Sequence, residues 1–166
     1  MNGDLWWSQD TPIGPITVLG GDGRVRSIAF SDAWGTTLQH RGQPGCDRKI
    51  ARALDDWFAG KCQSFDLEVD LSAVPTEFGR DVLTTLRRDV GWGETVSYGE
   101  LAVMAGRPGA ARGVGGIMRN NPVPFIVPCH RVVAAGGKLG GYGGGASAGS
   151  LGIKRWLLAH EGTCLV

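Results

Sequence analysis

Residues 97–119 read SYGELAVMAGRPGAARGVGGIMR, and this stretch decides the C-terminal fold. Ser97-x-x-Glu100 is a capping box, which starts a short helix through Leu101, Ala102 and Ala105. Gly106, Pro108 and Gly109 make a turn, and a second helix is expected from about Ala110 to Arg119. Two short helices joined by a tight glycine-containing turn predict a helix-turn-helix. On the second helix Arg112, Gly115, Gly116 and Arg119 share one face. Ala110, Val114, Ile117 and Met118 form the opposite, apolar face. Each interior glycine costs roughly 1 kcal/mol against alanine, so something must offset it. Close packing against another helix is one answer. Close approach to a nucleic-acid backbone or groove, with two arginines projecting, is the other. The glycines sit with the arginines, which favours the second.

Toward the C-terminus, Asn120-Asn121-Pro122-Val123-Pro124 stops this helix and leads into Val127-Pro128-Cys129-His130-Arg131-Val132-Val133. Pro128 keeps the segment out of a helix interior, and the valines predict a buried strand. A cysteine so held, with a cation beside it, is expected to have a lowered pKa and to react as thiolate. A small apolar core residue is the plainer reading of a cysteine, and the adjacent His130 and Arg131 weigh against it. From Gly136 to Gly152 nine of seventeen residues are glycine, around Tyr142. Such a stretch is either a flexible linker or a loop letting a flat substrate approach backbone amides. Leu151–Glu161 predicts a last helix, with Ile153, Trp156, Leu157 and His160 on one side and Gly162 as its stop.

Toward the N-terminus, Leu5–Ser8, Ile16–Leu19 and Val25–Phe30 read as short strands of an antiparallel meander, with a hairpin turn at Asp22-Gly23. A polar loop covers Ser31–Pro44. Helical spacing follows over Arg48–Phe58, ending at Gly60, and Phe65, Leu67, Val69 and Leu71 alternate as a strand. After Pro75, residues Phe78, Val82, Leu83, Leu86 and Val90 predict a helix closing at Gly91. The fold class is therefore α+β. Residues 1–75 form an N-terminal α/β domain, a small antiparallel sheet with a helix, and residues 76–166 a mainly helical C-terminal domain.

The 166 residues are 42% hydrophobic and 20% charged, the balance of a globular protein. No apolar stretch is long enough to span a bilayer and the acidic, Trp-bearing N-terminus is no signal peptide, so no membrane role and an intracellular location are expected. Cys46, Cys62, Cys129 and Cys164 lack metal-ligand spacing, and with only His40, His130 and His160 besides, no metal is expected. Net charge is +1, but residues 1–75 carry −3 and residues 76–166 carry +4. From Leu101 onward seven basic residues face a single acid, Glu161. That asymmetry is a polyanion signature confined to the C-terminal half, although a merely solvated basic face explains the charge equally well.

Taken together, these segments resemble the O6-alkylguanine-DNA alkyltransferase (methylated-DNA–protein-cysteine methyltransferase) family. The resemblance rests on Gly93-Glu94-Thr95-Val96-Ser97-Tyr98, Ala110-Ala111-Arg112-Gly113-Val114-Gly115-Gly116, Asn121-Pro122-Val123-Pro124 and Val127-Pro128-Cys129-His130-Arg131-Val132. Gly140-Gly141-Tyr142-Gly143-Gly144, His160-Glu161-Gly162 and, near the N-terminus, Thr11-Pro12-Ile13-Gly14 complete it. It implies an RNase H-like N-terminal domain and a C-terminal domain that binds DNA and accepts the alkyl group. The implied reaction moves an alkyl group irreversibly from O6 of guanine in double-stranded DNA to Cys129, with no cofactor and by a monomer. O4-alkylthymine stays open as a second substrate. The resemblance makes His130 the base acting through a water, Glu161 its orienting partner and Asn121 the hinge to the cysteine segment. Tyr98 becomes the donor to the leaving guanine. Arg112 becomes the finger that replaces a flipped base, with Ala111, Gly115, Gly116 and Arg119 on the DNA-facing surface. Val132, Tyr142, Gly143, Met118 and Pro124 would line the guanine pocket. The implied location is cytoplasmic, with the nucleoid, or nuclear in a eukaryote. Gly143–Ser150 looks several residues longer than in the family, Gly143 stands where some members carry serine, and no zinc-ligand set or phosphotriester-sensing domain is evident. A lesion binder without transfer, a helix-turn-helix regulator and a thiol hydrolase are the rival readings. The reactive Cys129, the absence of base-reading side chains at Gly115 and Gly116, and the basic helix weigh against them in turn.

Overall fold

The computed structural model describes residues 3–30, 41–143, 148–163 and 165. The chain separates into two compact units, Met1–Ala73 and Val74–Val166. In the first, strands β1 (Leu5–Gln9), β2 (Ile16–Gly21) and β3 (Arg24–Phe30) pair antiparallel in sequence. Asp22 and Gly23 both take positive φ, 52° and 73°. Two such residues give the hairpin turn whose twist matches its strands. The sheet is mixed, however, and not purely antiparallel. Its edges are β4 (Gln43–Pro44), parallel to β1, and β5 (Glu68–Val69), parallel to β3, in the order β4-β1-β2-β3-β5.

Parallel neighbours need a crossover, and between β3 and β5 helix α1 (Arg48–Phe58) supplies it. Asp47 caps α1 by accepting from the Lys49 and Ile50 amides, and it also accepts from Gly23 N at 3.0 Å, fastening helix to hairpin. Ile50, Leu54, Trp57 and Phe58 are the buried face of α1. The alternating run after it contributes only Glu68 and Val69 to the sheet, while Phe65 stacks on Trp57 at 5.6 Å. Of the polar loop expected over Ser31–Pro44, the last two residues are strand β4, and residues 31–40, with His40, lie outside the described residues.

In the second unit, α2 (Glu77–Asp89) buries Val82, Leu83 and Leu86. Strand β6 (Val96–Ser97) runs directly into α3 (Tyr98–Met104). The capping box forms as expected, with Glu100 N donating to Ser97 Oγ at 3.1 Å and Ser97 N to Glu100 Oε2 at 2.7 Å. Gly106 and Gly109, at φ 81° and 86°, make the turn into α4 (Ala111–Arg119). Strand β7 (Val132–Val133) pairs parallel with β6, Val96 opposite Val132 and Ser97 opposite Val133. This two-residue ladder brings Tyr98 and Cys129 to one place. Cys129 is not on the strand; it opens a 3₁₀ turn, Cys129–Arg131, that precedes it.

Helix α5 (Ala148–His160) begins earlier than Leu151, and Gly162 at φ 76° stops it. Its buried face is Lys154, Leu157 and Leu158, whereas Ile153, Trp156 and His160 are only half-buried, with Trp156 stacked on His160 at 4.8 Å. The long loop expected over Gly143–Ser150 falls partly outside the described residues, at 144–147, as does Cys164. Among the described residues no helix is long and apolar enough to cross a membrane.

The capping box fixes where α3, and with it Tyr98, begins. Ser97→Ala is expected to cost about 1 kcal/mol, read as a lower midpoint of urea denaturation.

Candidate active site

Residues 123–133 are all buried, although little of the segment is regular structure. A buried irregular segment must find partners for its backbone groups. Val127 N donates to Val123 O at 3.0 Å, Cys129 N to Val127 O at 2.8 Å and Arg131 N to Pro128 O at 2.9 Å. Asn121 binds the first half of the segment twice. Its Nδ2 donates to Val127 O at 2.9 Å, and its Oδ1 accepts from Val123 N at 3.1 Å. Phe125 is held at φ 70°, in the left-handed region, with 1% of its surface exposed. Such a conformation costs a non-glycine residue about 1–2 kcal/mol, which its burial offsets. The result is a rigid mount for Cys129.

Burial pushes the Cys129 thiol up from its ordinary value, against the pull of Asn121, Lys154 and Tyr142. The resting group is a thiol, contrary to the expected thiolate. The cation thought to lie beside it is elsewhere: Arg131 donates through Nε and Nη2 to the Glu161 carboxylate, at 3.0 and 2.8 Å, and through Nη1 to Val90 O at 2.6 Å. A thiol of this kind needs a base.

His130 is fully buried and its Nε2 lies 2.9 Å from Glu161 Oε1. Burial alone would raise the Glu161 carboxyl, but hydrogen bonds from His130 and Arg131 bring it to about 2. An ionised carboxylate only accepts, so Nε2 carries the proton and Nδ1 is the basic nitrogen. Burial lowers His130 below the usual imidazole range, Glu161 opposes this, and Arg131 and Lys154 add to it. At neutral pH His130 is an uncharged base.

Lys154 is the residue that sequence reasoning missed. It is completely buried, donating from Nζ to Val132 O at 2.6 Å and to Gly141 O at 3.0 Å. Burial lowers it to about 8, with Cys129 raising it. Lys154 thus clamps β7 to the glycine loop and places a cation near the sulfur. Its position three and four residues before Leu157 and Leu158 puts it on their apolar helix face. A helical wheel carried through α5 would have flagged it.

A cavity of about 530 Å³ opens over Cys129, within the range of small-molecule sites. Tyr98, Gly141, Tyr142 and Gly143 line it with Cys129, as do Arg112, Gly115, Gly116, Met118 and Arg119 of α4. A Cβ built on Gly115 or Gly116 would meet nothing within 4 Å. Their bareness therefore serves no helix packing. Burial, then the nearby Cys129, raises the half-buried Tyr98 phenol, which keeps it a proton donor. Asn121, His130 and Glu161 are outside the lining, and so are the buried Pro124 and Val132. Ala111 is half-buried on α4 and also outside it. Glu161, 4% exposed, is no surface acid. Among the described residues no cluster of His, Cys, Asp or Glu is placed to hold a metal ion.

The depressed Glu161 carboxyl makes stability pH-dependent in one direction. Its contribution is complete above the ordinary value of 4.5 and is lost as pH falls through about 2. Glu161→Gln is expected to flatten acid denaturation in that window. By leaving Arg131 buried and unpaired, it should also lower stability at neutral pH by about 3 kcal/mol, measured by urea titration.

Residues 77–163 match the family described as 6-O-methylguanine DNA methyltransferase, DNA binding domain. A methylated-DNA–protein-cysteine methyltransferase of Methanosarcina acetivorans is 38% identical over 164 residues, covering 93% of this chain and 96% of that protein. The one from Cricetulus griseus is 56% identical over 85 residues, 51% of this chain. There the chain spans 39% of the relative's length. The crystal structure of Mycobacterium tuberculosis OGT in complex with DNA superposes with a TM-score of 0.81 at 37% identity, covering 95% of this chain and 93% of that one. The buried cysteine and the cavity over it thus fall within a matched stretch of more than half the chain, and the chain belongs to the methylated-DNA–protein-cysteine methyltransferase family.

Proposed function

We propose that this protein repairs double-stranded DNA by moving the alkyl group of O6-alkylguanine onto its own Cys129, once per chain and irreversibly. The observation that carries the reading is a protonated, buried thiol backed by a neutral base and opening into a cavity beside an arginine-bearing helix. In the transfer, Cys129 Sγ forms a bond to the alkyl carbon as the carbon–O6 bond breaks. The thiol proton passes through a water to His130 Nδ1, and Glu161 holds the resulting imidazolium. The electron pair of the broken bond leaves with guanine. Tyr98 donates a hydrogen bond to the guanine ring, where that charge develops. The proton lost by the cysteine equals the one guanine needs, so the step balances without a cofactor. The product is a thioether that no group in the site can cleave, which makes the protein a single-turnover reagent.

Residues 76–166 are the DNA-binding and acceptor domain in this reading, and α3, the Gly106–Gly109 turn and α4 act as a helix-turn-helix. The first unit, with helix α1 and a mixed sheet among its described residues, is taken as RNase H-like. A guanine inside a duplex cannot reach a buried sulfur and must be flipped out. The exposed Arg112 is the finger that occupies the vacated stack, from the minor groove. Gly115 and Gly116 let the backbone approach, and Arg119 pairs with phosphate. Contacts of this kind are largely independent of sequence and weaken with salt. The DNA-bound structure of the Mycobacterium tuberculosis relative supports the reading. O4-alkylthymine presents the same alkyl–oxygen bond and is the second substrate to try. A single copy suffices for one lesion, in the bacterial cytoplasm with its nucleoid or in a eukaryotic nucleus.

Intact-protein and peptide mass after incubation with a duplex containing O6-methylguanine tests the proposal. One methyl per chain, on Cys129 only and absent from Cys129→Ser, is the expected result. Tight binding without a mass change would place the protein among lesion sensors instead. Arg112→Ala is expected to slow transfer at least tenfold from duplex DNA and far less from the free modified base, because only the duplex requires flipping.

A further inference from the structure

Arg131 takes no part in the transfer step described above, yet it is 6% exposed and its guanidinium is committed to buried acceptors. Glu161 Oε1 is shared between His130 Nε2 at 2.9 Å and Arg131 Nη2 at 2.8 Å. Oε2 faces Arg131 Nε at 3.0 Å and, more distantly, Gly93 N at 3.5 Å. Arg131 Nη1 reaches Val90 O, so the same side chain ties the end of α2 to the relay. A carboxylate with no partner but His130 would hold an imidazolium tightly, and an imidazolium cannot accept a proton. Arg131 removes that competition.

We propose that Arg131 is the positioning residue that sets the working pH of the relay, holding Glu161 as a shared carboxylate so that His130 rests as an uncharged base. The consequence for repair rests on the alkyl-transfer reading; the charge state of His130 does not. The groups that bear on it come from each element packed around it. Arg131 and Cys129 belong to its own turn, Glu161 and Lys154 to α5 and its end, and the neutral phenols Tyr98 and Tyr142 adjoin the sulfur. Of these only Glu161 favours a charged imidazole. Arg131 and Lys154 oppose it.

The test follows the His130 imidazole by ¹⁵N and ¹³C NMR across pH, in the intact protein and in Arg131→Gln, Arg131→Met and Arg131→Lys. Wild-type His130 is expected to be neutral near pH 7 with its proton on Nε2. Either neutral variant should raise the titration midpoint by one pH unit or more and carry it above the ordinary value of about 6.5. Hydration of a loosened site would bring it only up to that value, so the crossing separates the proposed role from a structural one. Arg131→Lys should stay near wild type. Arg131→Gln combined with Glu161→Gln should fall back to the ordinary value or below. In parallel, the acid limb of Cys129 methylation should move up, with the rate at pH 6 falling about tenfold relative to pH 9. A folded Arg131→Gln or Arg131→Met protein whose midpoint stays put, or stops at the ordinary value, overturns the proposal. Wild-type protein that takes no methyl from DNA would refute the proposed function, while the titration still decides the role of Arg131.

Discussion

The Glu161 carboxylate is the point on which the second unit depends. It stands at the end of α5 and receives Arg131 and His130 from the 3₁₀ turn, with Gly93 N at the margin. Arg131 passes the connection on to Val90 at the end of α2. Three stretches distant in sequence are thus joined through one buried negative charge. An ion pair in such surroundings gains little over apolar packing, and losing one partner is severe. Its presence is better explained by what it does to His130 than by stability.

That arrangement resolves the chemical difficulty that the proposed function raises, a buried nucleophile. Burial disfavours the thiolate, and the structure does not counter this with an adjacent arginine. It supplies a neutral imidazole fixed in one tautomer, and a buried lysine near the sulfur to favour charge once it forms. A thiol kept protonated at rest is protected from incidental oxidation and alkylation, since the thiolate is the reactive form. Under the proposed single transfer to Cys129, that restraint has evident value. Around it, Asn121 and the strained Phe125 hold the cysteine segment against the end of α4, so the helix bearing Arg112 and the sulfur keep a fixed relation.

Much of this was legible in the sequence. The Asp22-Gly23 turn, the Ser97-x-x-Glu100 box, the glycine-arginine face of α4 and the His130–Glu161 partnership follow from local chemistry or from motif resemblance, and each is present as a contact, angle or exposure. The edges of the first sheet were not legible. Gln43–Pro44 carries no periodicity and pairs only because β1 offers unpaired backbone groups, and of the alternating run Phe65–Leu71 only Glu68–Val69 finds a partner, on β3. The strand expected from the valines is confined to Val132–Val133, and the 3₁₀ turn Cys129–Arg131 before it has no local sequence signal.

By itself the sequence determined what depends on near neighbours: helix starts and stops, the tight turns and the apolar faces, and it singled out Cys129 and His130 as candidates for the chemistry. Only the tertiary structure decided where the charges point. Arg131 follows His130 in the chain yet turns to Glu161, thirty residues away, and Lys154 turns inward to two carbonyl groups. A charged side chain is free to go either way until burial removes water. It must then find whichever partner the fold has brought within reach.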